Sequence, residues 1–165
     1  MNGRKGYLNP FPWFAMKNKA TVKLRKFKPG DLDQILKIEK ACFSKTDAYS
    51  KRKFKLLFKA RHNFIVAEKA NEITGYMIAK VKKNLLDFVS IAISKRHQGL
   101  GIGIILMKFI INYSKACGIK KASLEVKTTN KKAISFYENI GFKIKKTVKK
   151  YYRDGKSAYL MEKSL

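Results

Sequence analysis

Apolar and polar positions along this chain follow two periods, near 2 and near 3.6, and the switches between them predict its elements. Residues 21–27, Thr-Val-Lys-Leu-Arg-Lys-Phe, alternate apolar with basic as a half-buried strand does, and Pro29-Gly30 ends the run. Asp31 stands where a helix N-cap belongs, and Leu32, Ile35, Leu36, Ile38 and Glu39 keep helical spacing behind it. A second, lysine-rich helix over 50–60 would turn Phe54, Leu57 and Phe58 inward. Three strands follow, at about 63–68, 73–81 and 86–93. The last contains Phe88-Val-Ser-Ile-Ala-Ile93, an almost continuous apolar run that predicts burial on both faces. Residues 104–117 have the pattern of a helix, with Gly118 at the left-handed C-cap position, and a strand at about 121–127 comes next. A short helix from Asn130 to Asn139 closes at Gly141, and strands at about 142–149 and 156–163 should pair antiparallel through a turn at Asp154-Gly155. The order β-α-α-β-β-β-α-β-α-β-β describes an α/β (α+β) chain with a mixed central sheet flanked by helices.

Composition narrows the class. The 165 residues are 45% hydrophobic, enough for one domain with a real core and no need of metal or disulfide staples. With 38 Lys and Arg against 11 Asp and Glu, the net charge of +27 favours polyanionic partners, such as RNA, the ribosome, an anionic surface or a phosphorylated cofactor. The lysines spread in clusters at 17–28, 51–59 and 143–150, which suits a solvated lysine-rich surface as well as a nucleic-acid-binding one. Cys42 and Cys117 lie in separate predicted helices, so reduced thiols and a cytoplasmic setting are expected, with Cys117 a buried helix residue and no nucleophile. Pro10 and Pro12 interrupt the only apolar stretch near the N-terminus, and no apolar run approaches the ~20 residues that span a bilayer, so no membrane association is expected. His62 and His97 have no metal-ligand spacing with the cysteines; no metal is expected, and His97 should sit in a loop or at a strand end.

The most informative segment is Arg96-His-Gln-Gly-Leu-Gly-Ile-Gly103, between a predicted strand and a predicted helix. Glycines at 99, 101 and 103 allow positive φ and close backbone approach, so successive N–H groups can converge on an anion with the helix N-terminus behind them. The spacing is neither Gly-x-Gly-x-x-Gly nor a loop ending Gly-Lys-Ser/Thr. Glu125 is a second signal, a carboxylate in the otherwise apolar strand Ala-Ser-Leu-Glu-Val, costly there unless partnered or at a cleft. It reads as a general base or as a glutamate paired with a neighbouring lysine.

Gln98-Gly-Leu-Gly101-Ile-Gly103 resembles the Gln/Arg-x-x-Gly-x-Gly/Ala signature of the GNAT family of N-acetyltransferases. Leu124-Glu-Val126, Asn130 and Ala133-Ile-Ser-Phe-Tyr-Glu-Asn-Ile-Gly-Phe142 follow in the order and spacing of its ribosomal-protein (RimI-type) and arrest-defective protein N-terminal branches. Lys150-Tyr-Tyr-Arg-Asp-Gly-Lys-Ser-Ala-Tyr-Leu-Met161 is similar to their substrate-side hairpin. The resemblance covers residues 21–165 and implies a GNAT fold, acetyl-CoA as cosubstrate and direct attack on the thioester. It implies that residues 98–104, Gln98, Gly99, Leu100, Gly101, Ile102, Gly103 and Ile104, hold the pyrophosphate. Backbone groups of Ile91, Ala92 and Ile93, on a strand splayed from its neighbour, would bind the pantetheine arm and the thioester oxygen. It implies that Asn130 contacts the cofactor, that Glu125 is the base, and that Tyr137 lies at the sulfur as an acid. Tyr152, Tyr49 and Ile91 would line the acceptor entrance. The related loop Leu-Pro-Glu-Asn-Tyr reads Lys45-Thr-Asp-Ala-Tyr49 here; its glutamate is missing, and Asp47 is out of register.

The expectation is a basic leader at 1–20 that need not be ordered, then one GNAT domain at 21–165 that acetylates protein N-termini, as a monomer or in a small complex. Met16 is a second candidate start. Two alternatives stay open: the same chemistry on a lysine side chain or small-molecule amine, and a non-catalytic basic module that binds RNA or the ribosome.

Overall fold

A computed structural model describes residues 22–60 and 62–165; the expected leader at 1–20 and Met16 lie outside them. Seven strands and four helices follow in the expected order: β1 (Lys23–Lys26), α1 (Leu32–Cys42), α2 (Lys51–Lys59), β2 (Asn63–Lys69), β3 (Glu72–Lys82), β4 (Leu85–Ile93), α3 (Ile102–Ala116), β5 (Lys121–Lys127), α4 (Lys131–Asn139), β6 (Lys143–Val148) and β7 (Ala158–Ser164). The strands form one sheet in the order β1-β2-β3-β4-β5-β7-β6. Among the described residues only the β4–β5 pair is parallel, as expected where α3 carries the chain from one strand to the next. β6 and β7 pair antiparallel, yet β7 is inserted between β5 and β6, so the last hairpin closes back on the sheet centre.

Each face of the sheet has its own apolar core. Leu32, Ile35 and Ile38 of α1 and Phe54 and Leu57 of α2 cover Phe64, Val66, Tyr76 and Ile78 on one side. On the other, Leu106, Met107 and Ile110 of α3 and Ile134 of α4 pack on Ile65, Met77, Leu86 and Leu124. Alternation along β5 sends Ala122, Leu124 and Val126 into the α3 side, which leaves Ser123, Glu125 and Lys127 on the opposite face.

Four expectations are corrected. Phe58 is exposed: Phe54 and Leu57 take the inward face of α2, and Phe58 lies at its margin with its ring against the edge of Phe27, centroids 5.1 Å apart. Cys117 is exposed, because it is the C-cap residue of α3 and stands beyond the last packed turn, before Gly118 at φ 82°. Asp31 makes no side-chain cap to α1; its carboxylate takes two guanidinium bonds from Arg25, at 2.7 and 2.9 Å, and one from the Lys28 amide at 2.7 Å. β4 is not buried on both faces: Leu86, Phe88 and Ala92 are buried, while Leu85 and Asp87 are half-buried, as are Val89, Ser90, Ile91 and Ile93, where the neighbouring strand leaves it.

Candidate active site

The site begins with that departure. β4 and β5 pair only from Leu85–Lys121 to Phe88–Leu124. A bulge opposite Ile78 and Ala79 leaves Val89 as the extra residue of β4, and bulges bend the strand that carries them. Beyond it β4 stays with β3 while Glu125–Lys127 of β5 stay with β7, so a wedge opens in the middle of the sheet. The Ser94 amide donates to the Thr74 carbonyl at 2.9 Å, and strand alternation then turns the backbone of Ala92 toward β3 and that of Ile91 and Ile93 into the wedge. The Ala92 side chain is buried against α1 and α2.

At the end of β4 a short 3-10 turn, Lys95–His97, leads to Gln98 and the glycines. His97 is a turn residue whose Nδ1 lies 2.7 Å from the Ser94 hydroxyl. Gly99 and Gly101 have φ of 80° and 79°, and a Cβ on either would meet no atom within 4 Å. Glycine is required there by conformation, and the space beside the backbone is free for a ligand. Gly103 differs: a Cβ would stand 3.2 Å from the Phe136 ring, so this glycine lets α4 approach α3. The helix starts at Ile102, earlier than the periodicity predicts, with the Ile105 amide bonded to the Gly101 carbonyl at 3.0 Å. Its first-turn N–H groups have no earlier helical carbonyl to bond and face the glycine loop. Gln98 braces this loop: its Nε2 donates to the Ile93 carbonyl at 3.1 Å, and its Oε1 accepts from Lys132 of α4 at 3.0 Å. Leu100 and Ile104 are exposed on the loop and the first helical turn.

Glu125 sits where the wedge opens, half-buried, opposite Leu160 of β7. Burial raises its carboxyl above the ordinary range, the charge of Asp87 raises it further, and Lys80 and the Tyr151 hydroxyl offset part of this. Lys80 gives its ion pair to Asp87 at 2.9 Å, and among the described residues no lysine forms an ion pair with Glu125. Tyr137 of α4 packs against Phe136 and Phe142, centroids 5.2 and 6.2 Å away, and burial pushes its phenol up to about 12. Asn130 caps α4 as expected, its side-chain oxygen accepting from the Ala133 amide at 3.1 Å.

The two tyrosines expected at the entrance come from opposite sides. Tyr49, in the α1–α2 loop, donates its hydroxyl to the Val89 carbonyl at 3.4 Å. Tyr152, in the β6–β7 connection, lies edge-on to Tyr151 with centroids 5.0 Å apart, and the Gly155 amide donates back to the Tyr152 carbonyl at 2.9 Å to close the turn. Burial raises all three phenols, that of Tyr151 to about 12, and the charge of Glu125 is felt at each, as is Tyr137 at Tyr152. Tyr49 thus bonds the β4 side of the wedge at Val89, and Tyr152 lies over Lys127 on the β5 side, its ring centroid 4.8 Å from Nζ.

The chain has relatives in sequence and in fold. The model of the Acetyltransferase (GNAT) family matches residues 32–142. The chain belongs to the GNAT acetyltransferase family. An uncharacterized N-acetyltransferase of Methanocaldococcus jannaschii is 33% identical over 141 residues, 85% of this chain and 90% of its own. An N-alpha-acetyltransferase of Sulfurisphaera tokodaii is 30% identical over 158 residues, 84% of this chain and 90% of its own. The crystal structure of Ard1 from Thermoplasma volcanium superposes with a TM-score of 0.81 at 25% identity, covering 87% of this chain and 97% of that one.

Within this GNAT fold one buried group has almost no signature in the sequence. Glu39, the fifth apolar-face position of α1, is 1% exposed. It accepts from the Tyr49 amide at 2.7 Å and from the Tyr76 hydroxyl, which is itself 3.1 Å from Ser90. Its only signal in the sequence is a charge on the inward face of an amphipathic helix. Glu39 thus anchors the loop carrying Tyr49. Replacing it with Ala leaves the Tyr49 amide without its acceptor and the Tyr76 hydroxyl with Ser90 alone, and is expected to cost about 2 kcal/mol in denaturant unfolding, whereas Gln keeps an acceptor and costs less. Burial raises the Glu39 carboxyl, so its contribution to stability is complete below the ordinary carboxylate range and declines as pH rises through the raised value. The Gln variant should lack that slope.

No group of three or more His, Cys, Asp or Glu that could hold a metal occurs among the described residues, and no helix there is long and apolar enough to cross a membrane.

Proposed function

We propose that this GNAT enzyme transfers the acetyl group of acetyl-CoA to the α-amino group of protein N-termini. The observation that carries the reading is Glu125. It is a half-buried carboxylate raised by burial, on β5 where the wedge from β4 opens, with the glycine loop following β4 and with Tyr49 and Tyr152 on opposite flanks. The similarity to an N-alpha-acetyltransferase over most of both chains supports the choice of amine.

The residues fit the cosubstrate. Left-handed Gly99 and Gly101 leave a side-chain-sized space beside the backbone, where residues 98–104 would hold a pyrophosphate, and the Lys132–Gln98 bond ties that loop to the first turn of α4, which Asn130 caps. Acetyl-CoA supplies an acetyl group on a thioester. Glu125 takes a proton from the incoming α-ammonium, directly or through one water, freeing a nitrogen lone pair for the thioester carbon. The Ile91 and Ile93 backbone, released from β5, offers N–H groups to the developing oxygen charge. Tyr137 donates a hydrogen bond to the departing sulfur. With its phenol near 12 and a thiol near 8.5, full proton transfer is uphill, so the phenol acts mainly by stabilising thiolate charge. The nitrogen's second proton passes to the departing thiolate as the amide forms, Glu125 returns its proton to solvent, and the products are the Nα-acetylated chain, CoA as the thiol and one proton.

Mass spectrometry of peptides with varied first residues, incubated with acetyl-CoA and the protein, tests this directly. Nα products are expected; products on lysine alone would move the function to side-chain acetylation.

The partner reading extends from charge. β6 is an edge strand exposed along most of its length, and Lys143, Lys145, Lys146, Lys149 and Lys150 follow it to the β6–β7 connection that carries Tyr152. A polyanionic surface such as ribosomal RNA docked there would bring a nascent N-terminus to the entrance. Ribosome cosedimentation should fall steeply between 50 and 200 mM salt, by about 10³-fold in affinity for six phosphate contacts; salt-insensitive binding would contradict it.

A further inference from the structure

The acceptor entrance is built from segments far apart in sequence, and one side chain joins them. Lys127, the last residue of β5, lies two positions beyond Glu125 on the same strand face. Its Nζ is 2.5 Å from Oδ2 of Asp47 in the α1–α2 loop and 2.8 Å from Oδ2 of Asp154 in the β6–β7 connection. The three side chains are only 16%, 15% and 23% exposed, so these pairs are screened less than ordinary surface pairs. The same ammonium lies 4.8 Å from the centroid of the Tyr152 ring. Each aspartate has a second anchor: Asp47 accepts from the Ser44 hydroxyl at 2.8 Å, and Asp154 from the Lys156 amide at 3.1 Å. Tyr49 stands two residues after Asp47, and Tyr152 two before Asp154.

We infer that Lys127 is a positioning residue for the acceptor: one ammonium shared by Asp47 and Asp154 fixes the distance between the loop bearing Tyr49 and the connection bearing Tyr152, and so sets the width of the entrance over Glu125. The inference rests on the acceptor reading above. Without the ammonium, Asp47 loses its cation and Asp154 keeps only the exposed Lys156 ammonium at 3.6 Å, so the two carboxylates are left without a shared partner and their repulsion favours separation of the two segments. The glycine loop and the wedge backbone of β4 make no bond to this triad and should be unaffected.

Steady-state kinetics on Lys127→Ala read the two substrates separately. KM for the peptide is expected to rise about tenfold or more while KM for acetyl-CoA stays within about twofold, the split that a general loss of structure would not produce. Lys127→Arg should keep the peptide KM within about threefold, because guanidinium also bridges two carboxylates. Adding Asp47→Asn and Asp154→Asn to Lys127→Ala should recover part of the loss, since the repulsion is gone while the tie is still missing. If the single variant does not fold, this triple variant carries the test, and a wild-type peptide KM in it overturns the inference. An unchanged peptide KM in Lys127→Ala, or an equal rise for both substrates, also overturns it. Hydrogen exchange needs no substrate: amides at 44–50 and 151–157 should exchange faster in Lys127→Ala and those at 98–103 should not, and equal rates to wild type would refute the tie. Absence of any Nα product from the wild-type enzyme would instead refute the acceptor reading and leave the exchange result to decide on the tie.

Discussion

Glu125→Gln is expected to lower kcat by about 10³-fold with acetyl-CoA affinity unchanged, because the variant loses the proton acceptor and no contact to the glycine loop. Lys80 is committed to Asp87, and Lys127 to Asp47 and Asp154, so neither holds Glu125 in a structural ion pair whose loss would mimic a catalytic defect. The pH profile separates the roles by sign. A base works deprotonated, and burial with the nearby Asp87 charge raises this carboxyl above its ordinary value of 4.5. Wild-type kcat/KM should therefore fall as pH drops through that raised value, and the acid limb should vanish in the Gln variant; a group acting as acid would show the opposite slope. The same shift makes the ionised carboxylate a burden on the fold, so the Gln variant should unfold no more readily than wild type. An active Gln variant with an intact acid limb would remove Glu125 from the mechanism.

Tyr137→Phe is expected to cut kcat about 10²-fold, the lower end of what one positioned proton donor contributes. Phe keeps the ring that packs edge-on against Phe136 and Phe142, so Tm should hold and acetyl-CoA should bind with wild-type affinity by titration. The defect then belongs to the bond-breaking step, where the hydroxyl would have met charge developing on sulfur. With the phenol pushed up to about 12, Tyr137 stays a neutral donor across any practical assay range, so it produces no alkaline limb below that value. Full turnover in the Phe variant would assign the hydroxyl a packing role only.

Both predictions concern residues that are conspicuous in the amino-acid sequence itself, and for Glu125 the reason is local chemistry. It is the lone charge between Leu124 and Val126 in a strand whose other face is core, and the Gln98–Gly103 loop stands out in the same way through its glycine spacing. Two of those glycines do have left-handed backbones, whereas Gly103 serves the packing of Phe136, a distinction that spacing cannot make. Tyr137 and the wedge between β4 and β5 follow from the family resemblance. An apolar run alone misleads about the wedge: Phe88–Ile93 reads as a strand buried on both faces because the pattern cannot tell a wedge wall from a core.

Whatever depends on neighbours along the chain is legible in the residues alone: the order and type of the eleven elements among the described residues, the Asn130 cap, the glycine at the end of α3, and the glycine loop before α3 with its left-handed residues. Periodicity, caps and backbone freedom are short-range properties, so the residues that carry them can be read in place. Whatever depends on pairs distant in sequence had to await the folded chain. Folding inserted β7 between β5 and β6, gave Asp31 to Arg25 in place of a helix cap, and buried Glu39 under Tyr49 and Tyr76. It also brought Asp47, Lys127 and Asp154 to a single contact. The pairing of a charge is set by which strands lie side by side and which face each residue presents, and those follow from the closure of the whole sheet.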